Sequence, residues 1–197
     1  MYSKYVKRAL DFLFALITGL VFLPFMLIII VAIRIDSPGS PLFTQDRAGR
    51  DRRIFKMYKF RTMRSDAPGD VPTHMLTSPE AYITRVGKFL RRFSIDEAPQ
   101  VFNILKGDMS FVGPRPALWN QDDLLARRDE YKANGALPGL TGWAQVNGRD
   151  ELPISVKARY DGEYCAKVSF LFDLKILCIT LLRVLDAKGM AEGGKEE

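Results

Sequence analysis

Two adjacent carboxylates, Asp96 and Glu97, lie at the end of a run of cations made by Arg85, Lys88, Arg91 and Arg92. Neighbouring positive charge favours ionised carboxylates, and the same cations attract phosphate. Two carboxylates beside a phosphate site suit Mg²⁺, which takes one or two carboxylates together with substrate phosphate oxygens. An ionised Asp can also attack phosphorus and carry the transferred group as an acyl phosphate. Other catalytic groups are scarce. His74 is the sole histidine, which removes multi-histidine metal sites and leaves any Ser-His-Asp or Cys-His scheme to that one residue. Cys165 and Cys178 are the only cysteines, too few for a disulfide framework or a zinc site.

Cations that could grip phosphate recur along the chain. Residues 46–64 hold eight Lys/Arg and two Asp, a local charge of +6, equal to the net charge of all 197 residues. Within them IFKMYKFRTM reads as a strand, and LFTQ with a turn at Gly49 completes a small β-hairpin. Strand alternation places Lys59 and Arg61 on one face about 7 Å apart, a spacing fit to hold a diphosphate from one side. Pro114 and Pro116 stiffen the backbone around Arg115, and arginine in such a frame suits bidentate phosphate contact. Arg149 follows an Asn147-Gly148 turn in a glycine-rich stretch, residues 138–150, that matches no nucleotide-binding fingerprint. A solvated basic face, an attraction to anionic lipid, or plain turns explain the same residues without chemistry. The basic charge does not make a nucleic-acid binder, because no recognised module accompanies it.

These groups need elements to hold them. Ser94 to Glu97 matches a helix-capping box, yet Pro99 would then fall inside the helix and forfeit a backbone bond. Capping by Asp96 instead puts Pro99 in the first turn, which predicts a helix from about Glu97 to Lys106 that stops at Gly107. Residues 65–82 carry three prolines and read as a loop of lid-like length. Residues 12–33 form 22 consecutive uncharged positions, about 33 Å of helix, enough to cross a bilayer. Pro24 predicts a kink near its middle. Lys4, Lys7 and Arg8 precede this segment, and Arg34, Arg47 and Arg50 follow it, so charge gives a span no preferred orientation. A re-entrant helix with both flanks at one face accommodates the charges better, and a straight span remains the alternative. Residues 168–187 read as an amphipathic helix, packed on the domain or lying in the membrane interface. The expected fold is a helix-dominated α+β protein: a membrane anchor over residues 1–36, a catalytic domain over 37–187 and a disordered tail over 188–197.

Six stretches in order resemble the bacterial sugar transferase family, the monotopic polyprenyl-phosphate phosphoglycosyl transferases. They are KRALD (7–11), FTQDRAG (43–49), FKMYKFRTM (55–63), DEAPQVFNILKGDMSFVGPRP (96–116), PGLTGWAQVNGR (138–149) and RYD (159–161). The resemblance covers about residues 4–185, and with no further N-terminal spans it points to the small form of the family. It implies a monotopic enzyme with a re-entrant helix at the bacterial inner membrane, its catalytic domain on the cytoplasmic side among inner-leaflet lipids. The implied reaction moves a sugar-1-phosphate from a UDP-sugar to a polyprenyl phosphate such as undecaprenyl phosphate and releases UMP, the first membrane step of glycoconjugate assembly. Asp96 maps onto the covalent nucleophile, and Glu97 onto its partner, with Mg²⁺ held near both. Lys59, Arg91, Arg115 and Arg149 would contact phosphate and nucleotide, with Arg61 and Asp161 as weaker candidates. The sequence departs from the family pattern at Leu23, where many relatives have Ser before the proline, at Ala98, usually Leu, and at Leu137, often Arg. A non-catalytic membrane-anchored scaffold, binding lipid or a partner, is the rival reading of the same surface.

Overall fold

The computed structural model describes residues 2–67, 79–148 and 152–186. After a wider helical turn at Tyr2–Val6, a 30-residue helix, α1 (Lys7–Asp36), runs helical throughout, Pro24 included. Most of its side chains are apolar and exposed, and only 11% of its most apolar window is buried, so α1 is long and apolar enough to cross a membrane. The predicted hairpin follows as β1 (Leu42–Ala48) and β2 (Ile54–Phe60), antiparallel, with Phe43 opposite Lys59 and Arg47 opposite Phe55. Helices α2 (Arg85–Arg92) and α3 (Gln100–Lys106) come next. Two short strands, β3 (Ser110–Val112) and β4 (Ala117–Leu118), frame the Pro114-Arg115-Pro116 turn. Helix α4 (Asp122–Glu130), strand β5 (Gly139–Thr141), and helices α5 (Ile154–Lys167) and α6 (Phe170–Asp186) follow among the described residues.

The strands make two small sheets. One runs in the order β2-β1-β4, and the other pairs β3 with β5 in parallel. The hairpin was legible from alternation, whereas β3, β4 and β5 are two or three residues long, too short to show a period. Three core clusters sit around them. The first joins α1 to the site-bearing elements: Ala15, Met26 and Ile33 pack with Met57, Phe60, Leu90, Val101 and Ile104. Helix α1 and the elements that follow it therefore share a core. The third cluster packs Ile176 and Phe172 of α6 on Val112, Val146 and Tyr164, while Leu171, Leu181 and Leu182 on the other side of α6 stay exposed. The amphipathic reading of this segment thus resolves into one packed face and one bare apolar face.

One side chain joins helix to sheet. Asn103, fully buried on α3, accepts from the Tyr58 N–H at 3.1 Å and donates to the Lys56 carbonyl at 2.8 Å. Its amide acts as a one-residue strand on the open edge of β2. Helix α3 ends at Gly107, where φ is +95°, and Arg8 of α1 donates to the last carbonyls, those of Ile104 (2.6 Å) and Leu105 (3.1 Å). Helix α2 crosses the Thr62 backbone so closely that a Cβ at Gly87 would lie 2.0 Å from the Thr62 carbonyl oxygen, so only glycine fits there.

Replacing Asn103 by Ala leaves an edge donor and an edge acceptor without their partner. The expected loss is about 2–4 kcal/mol of unfolding free energy, read from denaturant titration in detergent. An unchanged midpoint would show that α3 is held to the sheet by apolar packing alone.

Candidate active site

The segment carrying the two carboxylates differs from the expected helix. Ile95–Glu97 form a single 3₁₀ turn, and the α-helix begins only at Gln100, with Pro99 as its N-cap residue. Asp96 is therefore no cap. Pro99 does stand at the helix start, where its missing N–H costs nothing, and Gly107 is the stop as expected. Ser94 sits in the left-handed region at φ +54°, a reversal that separates α2 from the 3₁₀ turn. A 3₁₀ turn has three residues per turn, so neighbouring side chains point about 120° apart. Asp96 and Glu97 thus aim in different directions from one short, partly buried turn.

Glu97 faces the cations. Its Oε1 accepts from Lys59 Nζ at 2.9 Å and lies 3.6 Å from Arg115 Nη1. Both partners and Glu97 are largely withdrawn from solvent, with the Lys59 and Glu97 side chains each 19% exposed. These three residues line a cleft with Arg47, Met57 and Gln100. Three cations surround one carboxylate there, so the cleft keeps a positive excess.

The Arg115 turn is held at every carbonyl. Pro114 O accepts from the Gly139 N–H at 2.8 Å, Arg115 O from Arg128 Nη2 at 2.9 Å, and Pro116 O from Arg47 Nη1 at 3.0 Å. The two prolines have no N–H to satisfy. The guanidinium of Arg115 is consequently presented by a fixed backbone.

Other residues selected from sequence fall elsewhere. Strand β2 ends at Phe60, so the expected shared face of Lys59 and Arg61 is not formed. Arg61 is buried, and it donates to Ser37 O (2.6 Å), Ser37 Oγ (2.8 Å) and Pro38 O (2.9 Å), tying down the end of α1. Asp161 is 1% exposed and pairs with Arg128, whose Nε and Nη2 lie 2.8 and 2.6 Å from Asp161 Oδ2, so it is part of the scaffold and not of the cleft wall. Burial pushes the Asp161 carboxyl pKa up, against the pull of Arg128. Arg91 donates through Nε to Thr62 Oγ1 at 2.8 Å. Arg149, His74 and the tail after residue 187 lie outside the described residues. The sequence reading passed over Arg47, Gln100 and Arg128. Register could have found Arg47, which shares the Lys59 face of the hairpin.

Neither thiol competes as nucleophile. Cys178 is exposed on α6, away from the cleft, and burial pushes the Cys165 thiol up to about 11, which leaves it protonated near neutral pH. A maleimide at pH 7.5 should label Cys178 readily and Cys165 at least tenfold more slowly, as followed by peptide mass spectrometry. Equal rates would mean that Cys165 is more open and more acidic than its surroundings imply.

Compared with known proteins, residues 2–187 match the family described as bacterial sugar transferase. A Xanthomonas campestris pv. campestris protein named UDP-glucose:undecaprenyl-phosphate glucose-1-phosphate transferase is 38% identical over 194 residues, covering 95% of this chain and 40% of that protein. An uncharacterized sugar transferase of Bacillus subtilis (strain 168) is 44% identical over 161 residues, 78% of this chain and 75% of its own length. The Aeromonas hydrophila protein named UDP-N-acetylgalactosamine-undecaprenyl-phosphate N-acetylgalactosaminephosphotransferase is 36% identical over 192 residues, 94% of this chain and 45% of that protein. The chain thus spans less than half the length of the two relatives named for a UDP-sugar.

Proposed function

The chain belongs to the bacterial sugar transferase family, and from that premise we propose that it transfers a sugar-1-phosphate from a UDP-sugar to undecaprenyl phosphate through a covalent intermediate on Asp96. The observation that carries this reading is the Glu97 carboxylate held by Lys59 and Arg115, with Asp96 beside it on the same turn. The diphosphate of the donor enters the cleft against Lys59, Arg115 and Arg47, which draw charge off the phosphate oxygens. A carboxylate oxygen of Asp96 attacks the sugar-bearing phosphorus. The new O–P bond forms as the bond to the bridging oxygen breaks, and UMP departs with that electron pair. A phosphate oxygen of the polyprenyl phosphate then attacks the same phosphorus and expels the Asp96 carboxylate, giving the diphosphate-linked product. Glu97, fixed by its two cations, orients Lys59 and Arg115 on the donor.

Asp96 and Glu97 are the residues that would hold Mg²⁺. Among the described residues no group of three or more His, Cys, Asp or Glu is placed to cage a metal, and Glu97 Oε1 already has two cationic partners. That donor set fits an ion shared with substrate phosphates and not a cation held by the protein alone. When bound, Mg²⁺ supplies neutralisation of the diphosphate charge.

The contacts that grip α1 support a re-entrant reading of its membrane geometry. At its start Arg8 bonds the end of α3, and Asp11 Oδ1 accepts from the Phe111 N–H at 3.1 Å. At its end Asp36 accepts from the Val86 N–H at 2.9 Å, and Arg61 holds Ser37. One folded body holds both ends, whereas a spanning helix would part them by about 30 Å of hydrocarbon. This favours an α1 that enters and leaves by one face. Phe89 on α2, Phe93 just after it, and Leu171, Leu181 and Leu182 on α6 are bare apolar side chains suited to the same interface. We place that face at the cytoplasmic leaflet of the inner membrane.

Incubation with Mg²⁺ and a panel of UDP-sugars, without lipid acceptor, should add one sugar phosphate to the intact mass of the protein, and Asp96→Asn should abolish both the adduct and turnover. Turnover by Asp96→Asn at the native rate would remove Asp96 as nucleophile, and a protein inert toward every donor and acceptor would return the scaffold reading. For topology, Tyr5→Cys and Ser40→Cys in a background with Cys165 and Cys178 changed to Ser should both be labelled from the cytoplasmic side only. Labelling of the two from opposite sides would establish a span.

A further inference from the structure

Arg128 lies on α4, a helix whose charged side chains otherwise face water, yet it is 4% exposed. It shares the buried stripe of α4 with Leu124 and Leu125, and α5 meets that stripe with Ala158 and Asp161. Its guanidinium has two tasks: Nε and Nη2 bond Asp161 Oδ2, and Nη2 also donates to the Arg115 carbonyl at 2.9 Å. Asp161 Oδ1 is buried with no hydrogen-bond partner among the described residues, so the carboxylate is committed to Arg128 through its other oxygen. A buried ion pair of this kind is weak evidence of added stability, since packed apolar residues do as well. Its distinguishing property is direction: the planar fork fixes where one nitrogen points, and that nitrogen points at the backbone of the residue whose side chain reaches Glu97.

We propose that Arg128, oriented by Asp161, is a positioning residue that sets the Arg115 guanidinium in the cleft through the Arg115 carbonyl. The other two clamps of the turn act on Pro114 and Pro116, whereas Arg128 bonds the carbonyl of the arginine itself. Lysine cannot replace it, because an ammonium is a point donor and cannot serve Asp161 with two nitrogens while fixing the carbonyl. The proposal rests on the reading of Arg115 as a phosphate contact.

A double-mutant cycle on the full-length protein tests it, with initial rates of UMP release as readout and the folded fraction of each variant counted by its thermal transition. Arg115→Ala alone should lower kcat/KM for the UDP-sugar. Arg128→Lys alone should lower it about 10–100-fold, mainly through KM, since a misplaced Arg115 weakens donor binding. In the Arg115→Ala background, Arg128→Lys should cost less than a further twofold. An equal loss in both backgrounds, or no loss from Arg128→Lys, overturns the positioning role and leaves the Proposed function standing. An Arg115→Ala variant with native kcat/KM overturns both the Arg115 assignment and this inference. Should Arg128→Lys fold poorly, Asp161→Asn, which keeps the shape and frees the guanidinium, is expected to show the same dependence on Arg115.

Discussion

The side-chain amide of Asn103 is the joint on which the site depends. Among the described residues the β2 edge of the three-stranded sheet carries no further strand, and a seven-residue helix has little surface with which to find its place there. By pairing with the Lys56 carbonyl and the Tyr58 N–H, Asn103 sets both the distance and the rotation of α3 against β2. The turn that precedes α3 carries Asp96 and Glu97, and the strand it meets carries Lys59. The contact at 2.9 Å between Lys59 and Glu97 is therefore a consequence of a hydrogen-bonded edge one to three residues away along the strand. Helix α1 adds its own constraint, because Arg8 closes the far end of α3.

Around that joint the molecule builds rigidity where charge must be presented. The Arg115 turn has no backbone donor at its prolines and a partner for each of its three carbonyls. A guanidinium on so stiff a frame loses little entropy when it meets phosphate. Lys59 emerges from a paired strand and is similarly constrained. The resulting cleft concentrates positive charge in a partly dry setting, where interactions with a diphosphate are stronger than at an open surface.

The membrane helix belongs to the same construction. Its buried side chains share a cluster with Met57 and Leu90, and a second network runs from Lys7 and Tyr2 to Asp173 of α6, each at 2.7 Å. Asp173 in turn accepts from the Tyr164 hydroxyl at 2.8 Å, which approaches Val112 O at 3.0 Å, two residues before Pro114. Burial and the neighbouring Asp173 carboxylate keep that phenol protonated at any physiological pH. An apolar helix lodged this way shares one folded unit with the cleft, as the proposed reaction between a soluble and a lipid-borne substrate requires.

Residues 12–33 announce a lipid-seeking helix because 22 uncharged side chains leave no other stable solvent, and the hairpin shows because strand alternation is a local property. Gly107 marks the end of α3 because only a residue tolerant of positive φ serves there, and Pro99 marks its start. The Asp-Glu pair stands out by type. Tertiary structure decided the rest. Arg61 and Asp161 look like anion contacts until burial assigns them to Ser37 and to Arg128. The 3₁₀ turn at Ile95–Glu97 depends on how α2 and α3 pack on either side of Ser94. Arg128 shows as a charged residue on the buried stripe of α4, but its target on Arg115 is a contact between segments thirteen residues apart. Sequence by itself determined which residues seek lipid, which alternate and which can bond phosphate, since those are properties of single residues and short periods. Only the fold decided which cations meet Glu97 and which hold the backbone, because that depends on long-range packing.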